Sequence, residues 1–388
     1  MSKYFSVLFL LLSIFIGSQI RITVVSLPEN TPKNAKIYIA SSLNGWKPDD
    51  ENFLLKKNQQ GEYFLEIPES KGSFEYKFTQ GNWESSEADA HGKPAENRRL
   101  SFSGTAQNIE NKILSWSRPA EKRSTASPNV KVLSENFHIP QLNTSRKMWI
   151  YLPPGYDSSK KKYPVIYMLD GQNIFDDATS FSGEWKVDET LDSFSKSGKT
   201  EAIVVGIDNG GGERLNEYSP WKNPQYGGGK GGLFTEFLVK TLKPFIDKNY
   251  RTLPQPKNTA LIGSSMGGLI SLYAGTRHPE VFGKLGIFSP AFWFAEKDLH
   301  QYLIQNKTKL GSTRFYFLGG KNEDENLVSD IEETVEILKK KNIPEKNILI
   351  KIDEDGTHTE GYWAREFPKA LDWLFGKQQM PPPENSTF

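Results

Sequence analysis

The sequence predicts a two-part chain: a doubly wound, mostly parallel α/β sheet over residues 131–378, preceded by a small all-β sandwich over 19–117. Three observations carry this. From residue 131 on, short apolar runs that read as buried strands alternate with stretches of helical period, the pattern of a parallel sheet covered on both faces. Before residue 117 the chain is a series of strand-like runs punctuated by Gly, Asn and Pro, without a helical period. Between the two, "SRPAEKRSTASPNV" is polar, contains proline and has no period, so 118–130 reads as a linker.

Taken in order, the chain begins "MSKYFSVLFLLLSIFIGSQI", with one lysine, an apolar run and then Gly17-Ser18. That is the layout of a secretory signal peptide over 1–18, and the run is shorter than the ~20 apolar residues a membrane span needs. It predicts an exported bacterial protein, periplasmic or extracellular, without membrane contact after cleavage. "RITVVSLP", "AKIYIASSLN", "GEYFLEIP", "GSFEYKFTQG", "NRRLSFSG" and "NKILSW" are the strands of an immunoglobulin-like sandwich, with alternation over Ala35–Ala40 and Phe74–Phe78 marking a buried face. In the second domain, strands are expected at 146–152, 163–170, 202–208, 259–263, 284–288, 314–319 and 348–353. Leu233, Phe237, Leu238, Leu242 and Phe245 share one helical face, as do Val328, Ile331, Val335 and Leu338. Ligands of such sheets bind beyond the C-terminal strand ends. The final residues, 379–388, read as a disordered tail.

Composition narrows the function. The 48 basic and 47 acidic residues nearly cancel, and no basic run stands out, so no nucleic-acid partner is expected. There is no cysteine, which excludes disulfides, thiolate metal sites and a cysteine nucleophile.

In "LIGSSMGGL" two serines stand side by side, but the pattern G-x-S-x-G centres on Ser265, flanked by Gly263 and Gly267. A nucleophilic serine on a sharp strand-to-helix turn needs small neighbours two residues either way, because side chains there would collide. The helix "MGGLISLYAGTRH" that follows would aim its free N–H groups where an oxyanion forms. The competing reading is a helix cap in a glycine-rich turn. Serine also needs a base within hydrogen-bond reach. Of five histidines, His91 lies in the first domain, His138 precedes the first expected strand of the second, His278 ends the elbow helix and His300 reads as a surface residue. His358 lies in "DEDGTHTEGYW", a loop between the last strand and the last helix, and is the candidate base. Chain order Ser, acid, His places the acid between them at a strand end. There "RFYFLGG" runs into "KNEDENLVSD": Glu323 is the first choice, Asp324 the alternative and Asp330 a third, and each could instead serve the following helix N-terminus. The oxyanion donors expected are the N–H of Met266 and one from the turn Gly171-Gln172-Asn173. This chemistry requires no metal or organic cofactor.

Over 131–376 the segments "YLPPGYDSSKKKYPVIYMLDGQNIFDD", "GEWKVDETLD", "VVGIDNGGGERLNEYSP", "LIGSSMGGLISLYAG", "FGKLGIFSPAFWF" and "GTHTEGYWAREFPKAL" resemble the esterase-D-like family of α/β hydrolases. That family includes feruloyl and acetyl-xylan esterases, ferric-siderophore trilactone esterases, S-formylglutathione hydrolases and mycolyltransferases. The resemblance implies Ser265 as nucleophile, His358 as base and the acid at the "GGKNED" strand end, which favours Glu323. It also implies a cleft bordered by Gln172, Asn209, Tyr218 and Trp293, although Tyr218 and Trp293 equally suit packing beneath loops. The first domain is similar to starch- and glycogen-binding β-sandwich modules through "IYIASSLNGWKP", "GSFEYKFTQGNWESSEAD" and "ENRRLSF". At the positions of their sugar platform stand Trp46, Lys77, Trp83 and Asn97, but the loop "QGNWESSEADAHGKPAEN" departs in length, and a purely structural module is the other reading.

The function expected is a secreted serine esterase that works through an acyl-enzyme on a carbohydrate-linked feruloyl or acetyl ester. A ferric-siderophore trilactone is the alternative substrate, and acyl transfer to a sugar would use the same residues. The reading from another class is an inactive hydrolase scaffold that binds glycan. Expected partners are thus an ester substrate, small or polysaccharide-linked, and a glycan ligand of the first domain.

Overall fold

The computed structural model describes residues 19–68, 71–90, 92, 94–117, 123–181 and 183–376. The leader expected at 1–18, the tail expected at 379–388, His91 and residues 118–122 of the linker lie outside the described residues. The chain divides into two compact units, 1–122 and 123–388.

The first unit is built of short strands. Gln19–Ser26 pairs antiparallel with Tyr63–Pro68 and parallel with Gln107–Lys112, and Lys56–Lys57 adds to the far edge. A second sheet runs Tyr38–Ser41, Ser73–Thr79, Arg98–Ser101. From Ser73 to Phe78 a period of two holds, with Phe74, Tyr76 and Phe78 buried, Ser73 and Glu75 exposed and Lys77 half-buried; Thr79 beyond it is buried too. The three aromatic residues join Ile20, Ile22, Val24, Leu65 and Ile67 in one apolar core. The alternation expected over 35–40 is absent, because Ile37, Tyr38, Ile39 and Ala40 are all buried. Tyr38 is covered on its outer side, where its backbone bridges Leu54 and its hydroxyl donates to Glu51 (3.0 Å).

The second unit is an eight-stranded, mostly parallel sheet. Its strands are β1 (Val130–Ile139), β2 (Thr144–Tyr151), β3 (Val165–Leu169), β4 (Ile203–Ile207), β5 (Thr259–Ser264), β6 (Lys284–Phe288), β7 (Arg314–Gly320) and β8 (Ile348–Asp353). They lie in the order β1-β2-β4-β3-β5-β6-β7-β8, with only β1 and β2 antiparallel to their neighbours. The central strands β3, β4, β5 and β6 are buried along their whole length, as their unbroken apolar runs require. Strand β1 was not foreseen. It sits at the sheet edge, half exposed, so its sequence "VKVLSENFHI" carries no apolar run.

The helices are α1 (Val187–Lys196), α2 (Arg214–Glu217), α3 (Gly231–Phe237), α4 (Lys243–Asn249), α5 (Met266–Arg277), α6 (Glu296–Gln305), α7 (Leu327–Lys339) and α8 (Glu360–Phe375). One π-helical turn, Leu238–Leu242, joins α3 to α4, so the helical stretch expected there is a single rod with a local widening. Two apolar clusters form around the sheet, one including α5 and α7, the other α1 and α8. No helix among the described residues is long and apolar enough to cross a membrane.

The described end of the expected linker is not free chain. Ser124 Oγ donates to Asp176 (2.8 Å), Thr125 Oγ1 to Glu184 (2.8 Å), Ser127 N to Asp188 (2.6 Å) and Asn129 Nδ2 to Asp192 (2.8 Å). Residues 123–129 therefore belong to the α/β unit. Their Ser, Thr and Asn side chains are what buried or half-buried carboxylates need as donors.

Candidate active site

Ser265 follows β5 directly and caps α5 with φ 56° and ψ −122°, a conformation that non-glycine residues rarely hold. The turn is clamped by backbone bonds: Ser265 N donates to Phe288 O (2.9 Å), and Ala291 N donates to Ser265 O (3.0 Å). Gly263 is sterically required, since a Cβ there would lie 2.6 Å from Gly267 O. Gly267 is not held to the same degree. A Cβ at Gly267 would meet Asp170 Oδ2 at 3.4 Å and Leu169 Cβ at 3.5 Å, ordinary contacts, while one at Gly268 would press on Pro290 Cα at 3.1 Å. Met266 opens the helix, so its N–H has no carbonyl four residues back to bond and is free to meet a ligand.

The acid candidate follows β7 and the base candidate follows β8. Ser264 faces Phe288 across β5 and β6, and Phe288 faces Leu318 across β6 and β7, so the three strands end side by side. Glu323 lies just beyond β7 with its side chain fully buried, and its Oε2 is 2.7 Å from His358 Nδ1. Its Oε1 accepts from Ser289 Oγ (2.8 Å) and Gly320 N (2.7 Å). Ser289 Oγ in turn accepts from Trp363 Nε1 (2.9 Å). Because indole only donates, the Ser289 hydroxyl proton is left for Glu323. The His358 ring stands edge-on to Trp363, 5.1 Å between centroids, and is about half exposed toward solvent.

The alternatives for the acid lie elsewhere. Asp324 accepts from Asn326 N (2.9 Å). Asp330 is buried on α7 beside other carboxylates. Of the other described histidines, His278 Nδ1 is 2.8 Å from Glu280, and His300 is half-buried with Nε2 3.1 Å from Thr334 Oγ1. Ser289 and Trp363 were missed by sequence reasoning. The one available signal was proline after Ser289, since Ser289 itself holds φ 41°.

On the other side of the elbow, β3 is followed by Asp170, also left-handed at φ 56°, and then by the 3-10 turn Gly171–Asn173. Gly171 is packed against β4, where a Cβ would lie 2.7 Å from Gly206 C and Ile207 N. The Asp170 carboxylate is gripped bidentately by Arg214 (Nε 2.7 Å, Nη2 2.8 Å) and receives Asn209 Nδ2 (2.7 Å). Such charge-assisted pairs are the strong ones, and this one fixes the strained turn. The Gln172 side chain folds back so that Oε1 accepts from Asn209 N (3.3 Å). Asn209 is half-buried. The adjoining Asp208 carboxyl is pushed up to about 6, by burial first, despite the Trp149 indole N–H at 2.7 Å.

Tyr218 does not border the cleft. It is fully buried, packs against Phe234 (5.2 Å between centroids), lies under the Arg214 guanidinium and accepts from Asp170 N (3.3 Å). It neighbours the expected cleft residues along the chain, but its buried side chain instead supports Asp170. Trp293 is 51% exposed and meets Tyr226 edge-on at 5.7 Å. Tyr226, 45% exposed, sits on the short hairpin whose Asn223 donates to Phe294 O (2.9 Å). Since Ala291 is bonded to Ser265, this aromatic pair stands a few residues from the elbow. Nothing in the sequence pattern marks Tyr226, which lies in a glycine-rich turn.

In the first unit, Trp46 and Trp83 come together with centroids 6.3 Å apart and planes at 41°. Trp46 holds φ 59° on its turn and Trp83 is 37% exposed. Lys77 stands half-buried opposite Ala40, and Asn97 is exposed with Nδ2 3.3 Å from Glu75.

A model of the family described as "Putative esterase" matches residues 139–374. The chain is 26% identical over 249 residues to the uncharacterized protein YbbA of Bacillus subtilis, covering 61% of this chain and 94% of that one. It is 26% identical over 230 residues to an endo-1,4-beta-xylanase/feruloyl esterase of Xylanibacter ruminicola, covering 58% of this chain and 29% of that one. Among solved structures, the enterobactin esterase FES of Shigella flexneri aligns with a TM-score of 0.52 at 15% identity, over 92% of each chain, a likeness of fold.

Proposed function

Since the chain belongs to the "Putative esterase" family and is a carboxylic ester hydrolase, we propose that it is a serine esterase with Ser265 as nucleophile, His358 as base and Glu323 as acid. Ser265 Oγ attacks the ester carbonyl while His358 Nε2 takes its proton. The oxyanion is received by the N–H groups of Met266 and Gln172. His358 returns the proton to the departing alcohol, leaving an acyl-enzyme. Water then repeats the sequence against the acyl carbon and releases the acid. Glu323 keeps the imidazole in the tautomer with Nε2 unprotonated and offsets its charge once it is protonated. The observation that carries this reading is the 2.7 Å contact of His358 Nδ1 with a buried carboxylate, both beyond strand ends of the sheet whose β5 runs into a strained serine. Ser265→Ala should lower kcat on a chromogenic short-acyl ester by roughly a million-fold and abolish fluorophosphonate labelling. Undiminished turnover would end the reading.

For the substrate, the reading is an ester carried on a carbohydrate, with the aromatic pair Trp293 and Tyr226 receiving an aryl acyl group such as feruloyl. The same exposed rings fit a catecholate, which keeps a siderophore trilactone as the second reading. Acetylated xylan, methyl ferulate and a catecholate trilactone, compared by kcat/KM, separate the three. In the first unit, Trp46 and Trp83, with Lys77 and Asn97, would form a sugar platform for a glycan ligand on a sandwich-type module. Export rests on the leader-like residues 1–18 and is checked by cell fractionation.

A further inference from the structure

Away from the strand ends, helices α6 and α7 bring together a set of side chains that the ester chemistry does not use. On α6, Glu296 and His300 are four residues apart and so share a face; on α7, Asp330 and Glu333 are three apart and do the same. The two helices pack on each other. One ligand atom each from Glu296, His300 and Glu333 lies within 4.8 Å of the others. No Lys or Arg nitrogen is paired with Glu296, Asp330 or Glu333 among the described residues. His300 Nε2 lies 3.1 Å from Thr334 Oγ1, one helical position beyond Glu333, so the ring is already oriented.

Carboxylates at the start of a helix favour its dipole, and that accounts for Glu296 and in part for Asp330. It does not account for an imidazole one turn on and a carboxylate facing it from the next helix. We propose that the facing turns of α6 and α7 bind one divalent transition-metal cation, with Glu296, His300 and Glu333 as its protein ligands and water completing its shell. One imidazole with several carboxylates suits zinc or manganese better than calcium, which takes oxygen alone. Donors around such an ion, each at ~2.1 Å, lie about 3–4 Å apart, so ligand atoms within 4.8 Å of one another need only a small side-chain adjustment, which the exposed Glu333 can make. The ion would tie together two loops. Helix α6 starts directly after the Phe292–Phe294 turn that bears Trp293, and α7 starts directly after the Glu323 loop. The site is therefore structural, bracing the flank of the esterase centre without entering its chemistry.

The full chain, stripped with a chelator and dialysed, would be titrated with zinc and with manganese by calorimetry and by elemental analysis after equilibrium dialysis. One equivalent of one of them should bind saturably and raise the melting temperature by about 5 °C at a concentration about 100-fold above Kd. His300→Ala should weaken binding by at least about 100-fold, and Thr334→Val by about tenfold. Glu333→Gln, at an exposed position that cannot impair folding, should weaken it too while leaving the metal-free melting temperature unchanged. His358→Ala should bind as the wild type does. Absence of saturable uptake, or uptake lost in His358→Ala and kept in Glu333→Gln, would overturn the proposal and leave the esterase reading untouched.

Discussion

Replacing Glu323 by glutamine tests the acid candidate through an orientation that its neighbours dictate. The two donors on Oε1, Ser289 Oγ and Gly320 N, both require an acceptor there, so the amide oxygen must take that place. The amide nitrogen then occupies the position of Oε2, 2.7 Å from His358 Nδ1, and donates to it. With Nδ1 forced to accept, the imidazole carries its proton on Nε2 and cannot take one from Ser265. The charge that stabilises the imidazolium is lost as well. The same substitution in the serine-protease triad lowers kcat by about ten-thousand-fold, or about 5.5 kcal/mol of transition-state stabilisation, and a loss of that size is expected here. Two of the three hydrogen bonds survive and a buried charge is removed, so the melting temperature should barely move. That separates a lost tautomer from a lost fold. The assay is kcat on a chromogenic acetate ester with thermal unfolding in parallel. Asp324→Asn serves as control, because its oxygen still accepts from Asn326 N. A loss of less than about tenfold in Glu323→Gln, or a larger one in Asp324→Asn, would refute the assignment.

Other perturbations have equally definite outcomes. Gly263→Ala drives a Cβ to 2.6 Å from Gly267 O, backbone against backbone, and should destabilise by about 2 kcal/mol or more in urea unfolding while lowering kcat. Asp188 is fully buried, its Oδ1 has no partner among the described residues, and burial pushes its carboxyl from 3.8 up to about 8. The unfolded chain therefore releases this proton at a lower pH than the folded one, so the group's contribution falls as pH rises from about 4 to about 8. Asp188→Asn should melt higher than the wild type at about pH 8, with the difference vanishing near pH 4. Trp46→Ala or Trp83→Ala should weaken retardation in a starch- or xylan-containing gel by about tenfold and leave turnover of a soluble ester unchanged; equal mobility with and without polysaccharide in the wild type would remove the glycan reading.

The parts of the α/β unit that were legible in the sequence are those where one physical demand acts alone. A strand buried on both faces must be apolar throughout, so β3, β5, β6 and β7 could be read directly. The glycine before Ser265 is legible because no side chain fits beside Gly267 O. What the sequence hid are cases where two demands compete. Strand β1 is held by pairing to β2 at an edge and needs no apolar signature. Tyr218 lies along the chain among residues expected at the cleft, yet it is fully buried with its hydroxyl accepting from Asp170 N. Ser124, Thr125 and Ser127 look like a solvated linker, but their donors serve the carboxylates of Asp176, Glu184 and Asp188, which a helix-period reading of "GEWKVDETLD" did not mark as buried. Ser289 and Trp363 are legible only together, since neither is unusual until the other occupies its hydroxyl.

The alignment of Ser264, Phe288 and Leu318 on one transverse row of the sheet has a consequence for how the protein wears out. Ser265 and Ser289 each follow directly on this rung, and β7 runs only two residues beyond it, to Gly320, before the loop that bears Glu323. Local breathing cannot loosen one of them while the others stay in place, because opening that rung means opening the sheet. Thermal inactivation should therefore follow the exchange of the most slowly exchanging amides in β5, β6 and β7, with no inactive but folded stage in between.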